Sequence, residues 1–184
     1  MKYLIVDLEA TDTTTGTSEI IEFGYAIIED GKIATRGGSF IKPAHSSLTP
    51  FIKKLTSIVE EDLESAPSFT SFFDAFFSDY NPEEYIFVGW GNYDIKMVNT
   101  MCRLWELDFP KFKGHMNLKN QHKNFYGFKE ERSLGRALRH ANIEFEGTPH
   151  RGSDDAYNSA KLFLDLIQKG WVPKFDEVPK IWYN

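Results

Sequence analysis

Apolar and polar positions alternate with two different periods along this chain. Residues 3–8 (Tyr-Leu-Ile-Val-Asp-Leu) form a short apolar run of the kind found in central strands. Residues 18–29 make a longer β-rich run and residues 32–42 another, with the hairpin signal Asp30-Gly31 between them. A three-stranded meander is predicted at the start. From 47 to 80 the pattern changes: Pro50, Pro67 and Ser/Thr ahead of acidic or apolar runs predict several short helices, the best over 68–79. Pro82 breaks the chain, and residues 85–89 read as a buried strand. Apolar residues at 95, 97, 98, 101, 104 and 105 follow a helical period, which predicts a helix over 94–105. Pro110 and Gly114 mark a loop, Ser133 opens a helix over 133–140, and Gly147 and Pro149 punctuate a second loop. An amphipathic helix over 153–169 carries Ala156, Ala160, Phe163, Leu164 and Ile167 on one stripe and stops at Gly170. The tail from 171 to 184 is irregular, but Trp171, Phe175 and Trp182 predict that it packs back on the rest. The order is that of a mixed α/β layered fold around one sheet, in one domain over 1–184 without repeats or linkers.

Composition narrows the class. A chain of 184 residues, 41% hydrophobic and 15% aromatic, is long enough for one sizeable core and too apolar for disorder. No run approaches the roughly 18 apolar residues of a membrane span. The N-terminus reaches Asp7 too soon for a signal peptide, so a soluble cytoplasmic protein is expected, without a membrane partner. The single cysteine, Cys102, cannot form an internal disulfide, fits a reducing compartment, and reads as core filler.

Charge is unevenly spread. The formal net charge is −6, yet residues 96–140 hold ten Lys/Arg against four Asp/Glu. The rest of the chain is correspondingly acidic, and residues 55–95 contain no Lys or Arg. Such a balance argues against electrostatic wrapping of duplex DNA but permits a phosphate substrate held through metal ions. The basic stretch reads either as a solvated face or as a phosphate-facing one.

Three short constellations carry candidate chemistry. Asp7 and Glu9 sit two apart in a strand, so they share a face, with Val6 and Leu8 on the other. Two carboxylates at the end of a buried strand repel each other and lose hydration, and a divalent cation removes both costs. Taken alone, the pair is a weak signal and reads first as exposed acids at a strand end. Asp94, in Trp90-Gly91-Asn92-Tyr93-Asp94, follows a buried strand and opens a helix, where an acid also serves as a cap. His150-Arg151-Gly152-Ser153-Asp154-Asp155 places a loop histidine ahead of two acids, one more than a cap needs. An imidazole, as a residue type, titrates near neutrality and suits a general base.

In this order the three motifs resemble the DEDDh 3′–5′ exonucleases. The matching residues are Asp7-Leu8-Glu9-Ala10-Thr11, Asn92-Tyr93-Asp94, and His150 with four residues before Asp155. Residues 48–69, the run 117–119 (Asn-Leu-Lys) and residues 150–162 are similar to the branch of histone-mRNA and small-RNA 3′ exonucleases and their KapD-like bacterial relatives. The resemblance spans residues 1–170. It implies an RNase H-like fold, a five-stranded mixed sheet flanked by helices, and two Mg²⁺ or Mn²⁺ ions held by Asp7, Glu9, Asp94 and Asp155. His150 would then be the base that activates water, and nucleoside 5′-monophosphates would leave from a single-stranded 3′ end, RNA favoured over DNA. Only the family spacing selects Asp155 over its neighbour Asp154. The resemblance also implies backbone contacts to the terminal sugar near Ala10 and Thr11, a stacking surface at Tyr93, and a base-pocket wall at Leu55 and Ile58. A protein partner for targeting is compatible with this reading. Two rival readings are a binding module that does not cut, and a metal-dependent phosphoesterase for small phosphate esters.

Overall fold

The computed structural model describes residues 1–182. Strands β1 (Lys2–Ala10), β2 (Ile20–Glu29) and β3 (Lys32–Phe40) form the expected antiparallel meander. The turn between β2 and β3 uses Asp30 (φ 50°) and Gly31 (φ 73°), both left-handed, as a two-residue hairpin requires. Strands β4 (Tyr85–Gly89) and β5 (Gly114–Asn117) run parallel to β1, giving the order β3-β2-β1-β4-β5. This is the five-stranded mixed sheet of an RNase H-like fold.

Strand β1 is central, and its alternation builds both faces. Leu4, Val6 and Leu8 enter one core with Phe69, Phe72, Phe76, Ile95, Val98 and Met101. Those partners belong to helices over Phe69–Asp79 and Tyr93–Leu104, the third and fourth in chain order (α3 and α4). Two shorter helices, α1 (Pro50–Thr56) and α2 (Glu60–Glu64), close a small core of Ile21, Leu48, Ile52, Ile58 and Leu63. On the opposite face of β1, Tyr3 and Ile5 pack against Leu118, Ala160, Phe163 and Leu166. This layer consists of α5 (Leu118–Tyr126), α6 (Leu134–Ala141) and α7 (Gly152–Gln168). Many phenylalanines therefore serve as core, and Cys102 is buried among them.

Helices α3, α4, α6 and α7 begin and end within one residue of the sequence expectation. Ser68 caps α3 by accepting the Ser71 N–H at 3.2 Å. Among the strands and α-helices of the described residues, two elements are additional. Strand β5 lies where Gly114 suggested loop, and α5 follows at once, capped by Asn117 Oδ1 on the Asn120 N–H at 2.9 Å. In the tail, His115 and Asp176 exchange backbone hydrogen bonds of 2.8 and 2.9 Å, which covers the β5 edge, and Trp171 is buried. Gly114 permits this approach, since a Cβ there would lie 2.4 Å from the Phe175 ring. Residues 183 and 184 of the expected tail lie outside the described residues. Among the described residues no helix is long and apolar enough to cross a membrane.

Candidate active site

The site forms where β1, β4 and α7 meet. Asp7 and Glu9 lie at the C-terminal end of β1, half-buried and on one face. Asp7 pairs in register with Gly24 of β2. Gly24 has no side chain to hold α7 away: a Cβ there would sit 1.8 Å from the Gly152 carbonyl carbon. A Cβ on Gly152 would in turn lie 2.8 Å from the Asp7 carbonyl oxygen. Two bare glycine backbones thus let the N-terminus of α7 land on the sheet beside Asp7 and bring Asp155 in.

Asp94 arrives from the other side. It lies in the first turn of α4, just after β4, and is 5% exposed. Its Oδ1 accepts the Leu8 N–H at 3.2 Å, which ties the α4 N-terminus to the end of β1. Gly89 makes the room, since a Cβ there would stand 2.7 Å from Asp94 Oδ2. The N-cap position of α4 is Asn92, whose side chain makes no capping hydrogen bond.

His150 sits on the loop before α7 with φ +62°, a left-handed conformation uncommon for a residue with a Cβ. The first turns of α7 hold it there. Asp155 Oδ2 accepts the His150 N–H at 2.6 Å, and Asp154 Oδ2 accepts the Thr148 N–H at 2.8 Å. Asn158 clamps the loop start, accepting from the Glu146 N–H (3.1 Å) and donating to the Glu146 carbonyl (2.8 Å). The two neighbouring acids therefore face different ways. Asp154 braces the loop against Gly147 and Thr148, whereas Asp155 offers an oxygen within 4.8 Å of ligand atoms of both Glu9 and His150.

The electrostatics match this crowding. Burial is the largest cause of an upward shift at each of the four acids. Asp7 is pushed well above the usual carboxylate range, with Asp94, Asp155, Glu9 and Glu22 adding repulsion. Glu9 is pushed up to about 8 by burial and by Asp155, Glu22 and Asp94, against a smaller pull from Arg151. Asp94 reaches about 7, held back by the Leu8 N–H, and Asp155 about 6, held back by the His150 N–H. Among the described residues, no hydrogen-bond donor reaches the side chains of Asp7 or Glu9. An oxygen-rich, donor-poor cluster of this kind suits a hard divalent cation such as Mg²⁺ or Mn²⁺.

The outer residues divide. Tyr93 is 56% exposed and Leu55 37%, so both present apolar surface. Ala10 is half-buried at the end of β1. Thr11 is held within the protein by its own backbone and side chain. Its N–H donates to the Glu19 carbonyl at 2.9 Å, its carbonyl accepts the Ser18 hydroxyl, and its own hydroxyl accepts the Glu19 N–H. Thr11 braces the β1–β2 connection. Ile58 is corrected: it has no accessible surface and supports α1 from within its small core, so it walls no pocket. Sequence reasoning missed Glu22, which is 3% exposed and accepts from Arg151 Nε at 3.0 Å and from the Ser153 N–H at 3.4 Å. It fixes the residues on either side of Gly152. The only available signal was a glutamate inside a β-rich run, two residues before Gly24.

Comparison with known proteins agrees with this arrangement. Residues 4–163 match the RNase T family, described as Exonuclease. The chain is 30% identical to the probable 3′–5′ exonuclease KapD of Bacillus subtilis, over 87% of this chain and 82% of that protein. It is 25% identical to the 3′–5′ exoribonuclease 1 of Homo sapiens, covering 94% of this chain but 54% of the human protein, so it spans about half of that relative. Its structure superposes on the nuclease domain of 3′hExo, a DEDDh family member bound to rAMP, with a TM-score of 0.86 and 26% identity over 97% of both chains. A 3′-exonuclease that recognises the 3′ end of a histone mRNA stem-loop gives a TM-score of 0.83 at 25% identity, over 92% of this chain and 64% of that one. With a carboxylate cluster and a loop histidine at the end of an RNase H-like sheet, the chain belongs to the Exonuclease family, among relatives that are 3′–5′ exonucleases.

Proposed function

We propose that this chain removes nucleoside 5′-monophosphates one at a time from single-stranded 3′ ends, with RNA preferred over DNA. The observation that supports it most is the convergence of Asp7, Glu9, Asp94 and Asp155 beside His150, with every carboxylate shifted upward by burial. In this reading the four acids hold two Mg²⁺ or Mn²⁺ ions. When bound, such ions supply a water of lowered pKa and stabilise the charge on the leaving 3′ oxygen.

The chain's own residues do the rest. His150, exposed on its braced loop, takes the proton from the attacking water and passes it to solvent. Tyr93 offers a ring on which the terminal base stacks, an interaction worth about 1–3 kcal/mol and tolerant of sequence. Leu55 gives the base a second apolar contact, and the strand end at Ala10 abuts the terminal sugar. The preference for RNA rests on the likeness to exoribonucleases. We place the protein in the cytoplasm on the strength of its single, buried cysteine, Cys102, and we read the whole chain as one exonuclease domain.

The test is a degradation assay with 5′-labelled single-stranded RNA, single-stranded DNA and duplexes, with Mg²⁺ or Mn²⁺. The expected result is a ladder that shortens by one nucleotide from a free 3′ hydroxyl, fastest on RNA. No shortening of any strand with either ion would overturn the proposal. Cleavage of only small phosphate esters would move the chain to the phosphoesterase class.

A further inference from the structure

A cavity of about 630 Å³ lies away from the carboxylates, between the end of α5 and the exposed side of α6. Lys129, Arg132, Arg136, Arg139 and His140 line it, with Phe128 forming one wall. None of the four Lys/Arg side chains makes an ion pair among the described residues. The Arg132 guanidinium instead lies 3.5 Å from the centre of the Phe128 ring, which fixes it in place without neutralising it. Two acids, Glu130 and Glu131, share the lining, and Glu131 is turned toward Lys119 at 3.7 Å. On a chain with a net charge of −6, the lining still carries a net positive charge at one place.

The cavity is joined to the active site twice. A smaller cavity of about 360 Å³, lined by Asn92, Asn117, Asn120 and Gln121, shares Glu131 with it. Asn92 immediately precedes Tyr93 and lies two residues before Asp94. Beneath this surface, Trp90 packs on the fully buried His122 ring at 5.7 Å, and His122 packs on Phe128 at 5.7 Å and His140 at 6.3 Å. The β4–α4 connection that leads to Asp94 and the wall of the basic cavity are thus parts of one packed unit. Amide side chains along the way supply donors and acceptors, beside His115 and two acids, Glu131 and Asp176.

We propose that this basic cavity binds the phosphodiester backbone of the substrate strand upstream of its 3′ end. The strand leaves the carboxylate cluster past Asn92 and Asn120, and its phosphates reach Lys129, Arg136 and Arg139. The inference rests on the exonuclease reading for the identity of the ligand. It adds the prediction that the enzyme senses substrate length: a strand of several nucleotides fills both places, and a dinucleotide fills only the first.

The test compares the wild type with the triple variant Lys129→Ala/Arg136→Ala/Arg139→Ala, whose three side chains are all exposed. Two substrates are used, a single-stranded 12-mer and a dinucleotide. The ratio of kcat/KM for the 12-mer to that for the dinucleotide is expected to fall at least tenfold. Fluorescence anisotropy of the labelled 12-mer in Ca²⁺ is expected to show weaker binding, with the salt slope reduced by about 2, since each lost phosphate contact on a single strand removes about 0.7. Restoring charge with Arg136→Lys/Arg139→Lys should recover most of the ratio. An unchanged ratio, whether both activities hold or both fall together, overturns the proposal. So does displacement of the 12-mer by polyaspartate as readily as by unlabelled RNA, which would mark the cavity as a protein-docking surface. If the wild type shortens neither substrate, the exonuclease reading fails, and the anisotropy arm still decides whether the cavity binds strands.

Discussion

Two sets of buried or half-buried acids stand within a few residues of one another, and they have opposite fates. Glu19 and Glu22 belong to the fold. Glu19 has no exposed surface and accepts from the Ala44 N–H (2.9 Å), the His45 N–H (2.7 Å) and the Ser46 hydroxyl (2.7 Å). Glu22 accepts from Arg151 and the Ser153 N–H. Asp7 and Glu9, on the neighbouring strand, have no such donors and face Asp94 and Asp155 instead. Acids that hold the structure together are supplied with several protein donors; Asp7 and Glu9 have none among the described residues, and Asp94 and Asp155 beside them accept mainly from the Leu8 and His150 N–H groups. A group left unpaired in a folded protein marks what the fold is built to bind.

Substitution should separate the two sets sharply. Asp7→Asn or Asp155→Asn is expected to lower kcat on single-stranded RNA by on the order of 10³-fold or more. The same Asp7→Asn change should raise the melting temperature of the metal-free protein, because it removes repulsion. Glu19→Ala should do the reverse, costing about 3 kcal/mol for its charged hydrogen bonds, or roughly 6–10 °C in a chain of this size. A metal-free Asp7→Asn protein that melts lower than wild type would erase the distinction.

His150 and Asp154 sharpen it on the catalytic side. His150→Ala should slow single-turnover cleavage by about 10²-fold or more while Mn²⁺ affinity stays close to wild type. Rates equal to wild type would remove His150 from the chemistry. Asp154→Ala releases only the brace at Thr148 and Gly147, and a loss of about tenfold is expected, in keeping with the usual effect of residues that orient a site. A loss as large as that of Asp155→Asn would mean that Asp154, not Asp155, faces the metals.

The smallest effect is a pH dependence. Folding raises the pKa of Glu9 to about 8, Asp94 to about 7 and Asp155 to about 6, above the roughly 4 of an unfolded carboxyl. The folded state then binds more protons than the unfolded one. The stability this contributes is complete below about pH 4 and is lost as pH rises through 6 to 8. Metal-free protein should therefore melt a few degrees higher at pH 6 than at pH 9, and saturating Mn²⁺ should flatten or invert the slope. A melting temperature that rises with pH in the absence of metal would contradict the crowding.

The sequence carried the chemistry further than it carried the architecture. The spacing Asp7-x-Glu9 declared a shared face, and the strand before Asp94 and the helix after His150 were legible from their apolar periods. Strand β5 was not, because four residues starting at a glycine carry no period of their own and gain their identity by pairing with β4. Helix α5 was missed for a similar reason: among its nine residues only Leu118 and His122 are buried, so its face is too narrow to read. The approach of Gly24 to Gly152 joins positions far apart in the chain, and no local pattern announces it. Ile58 shows the opposite error, since an apolar residue beside a motif was read as a pocket wall when its place is inside the α1–α2 core.

The most direct test of the central claim is calorimetric titration of the metal-free protein with Mn²⁺ at pH 7, in buffers of different ionisation enthalpy. Carboxyls that hold protons because they lack a cation must give them up when one arrives. Two ions should bind per chain, with net release of about one proton or more, and Asp7→Asn should weaken the binding. Saturation without proton release, or no binding at millimolar Mn²⁺, would contradict the claim that these four acids are held in place for metal.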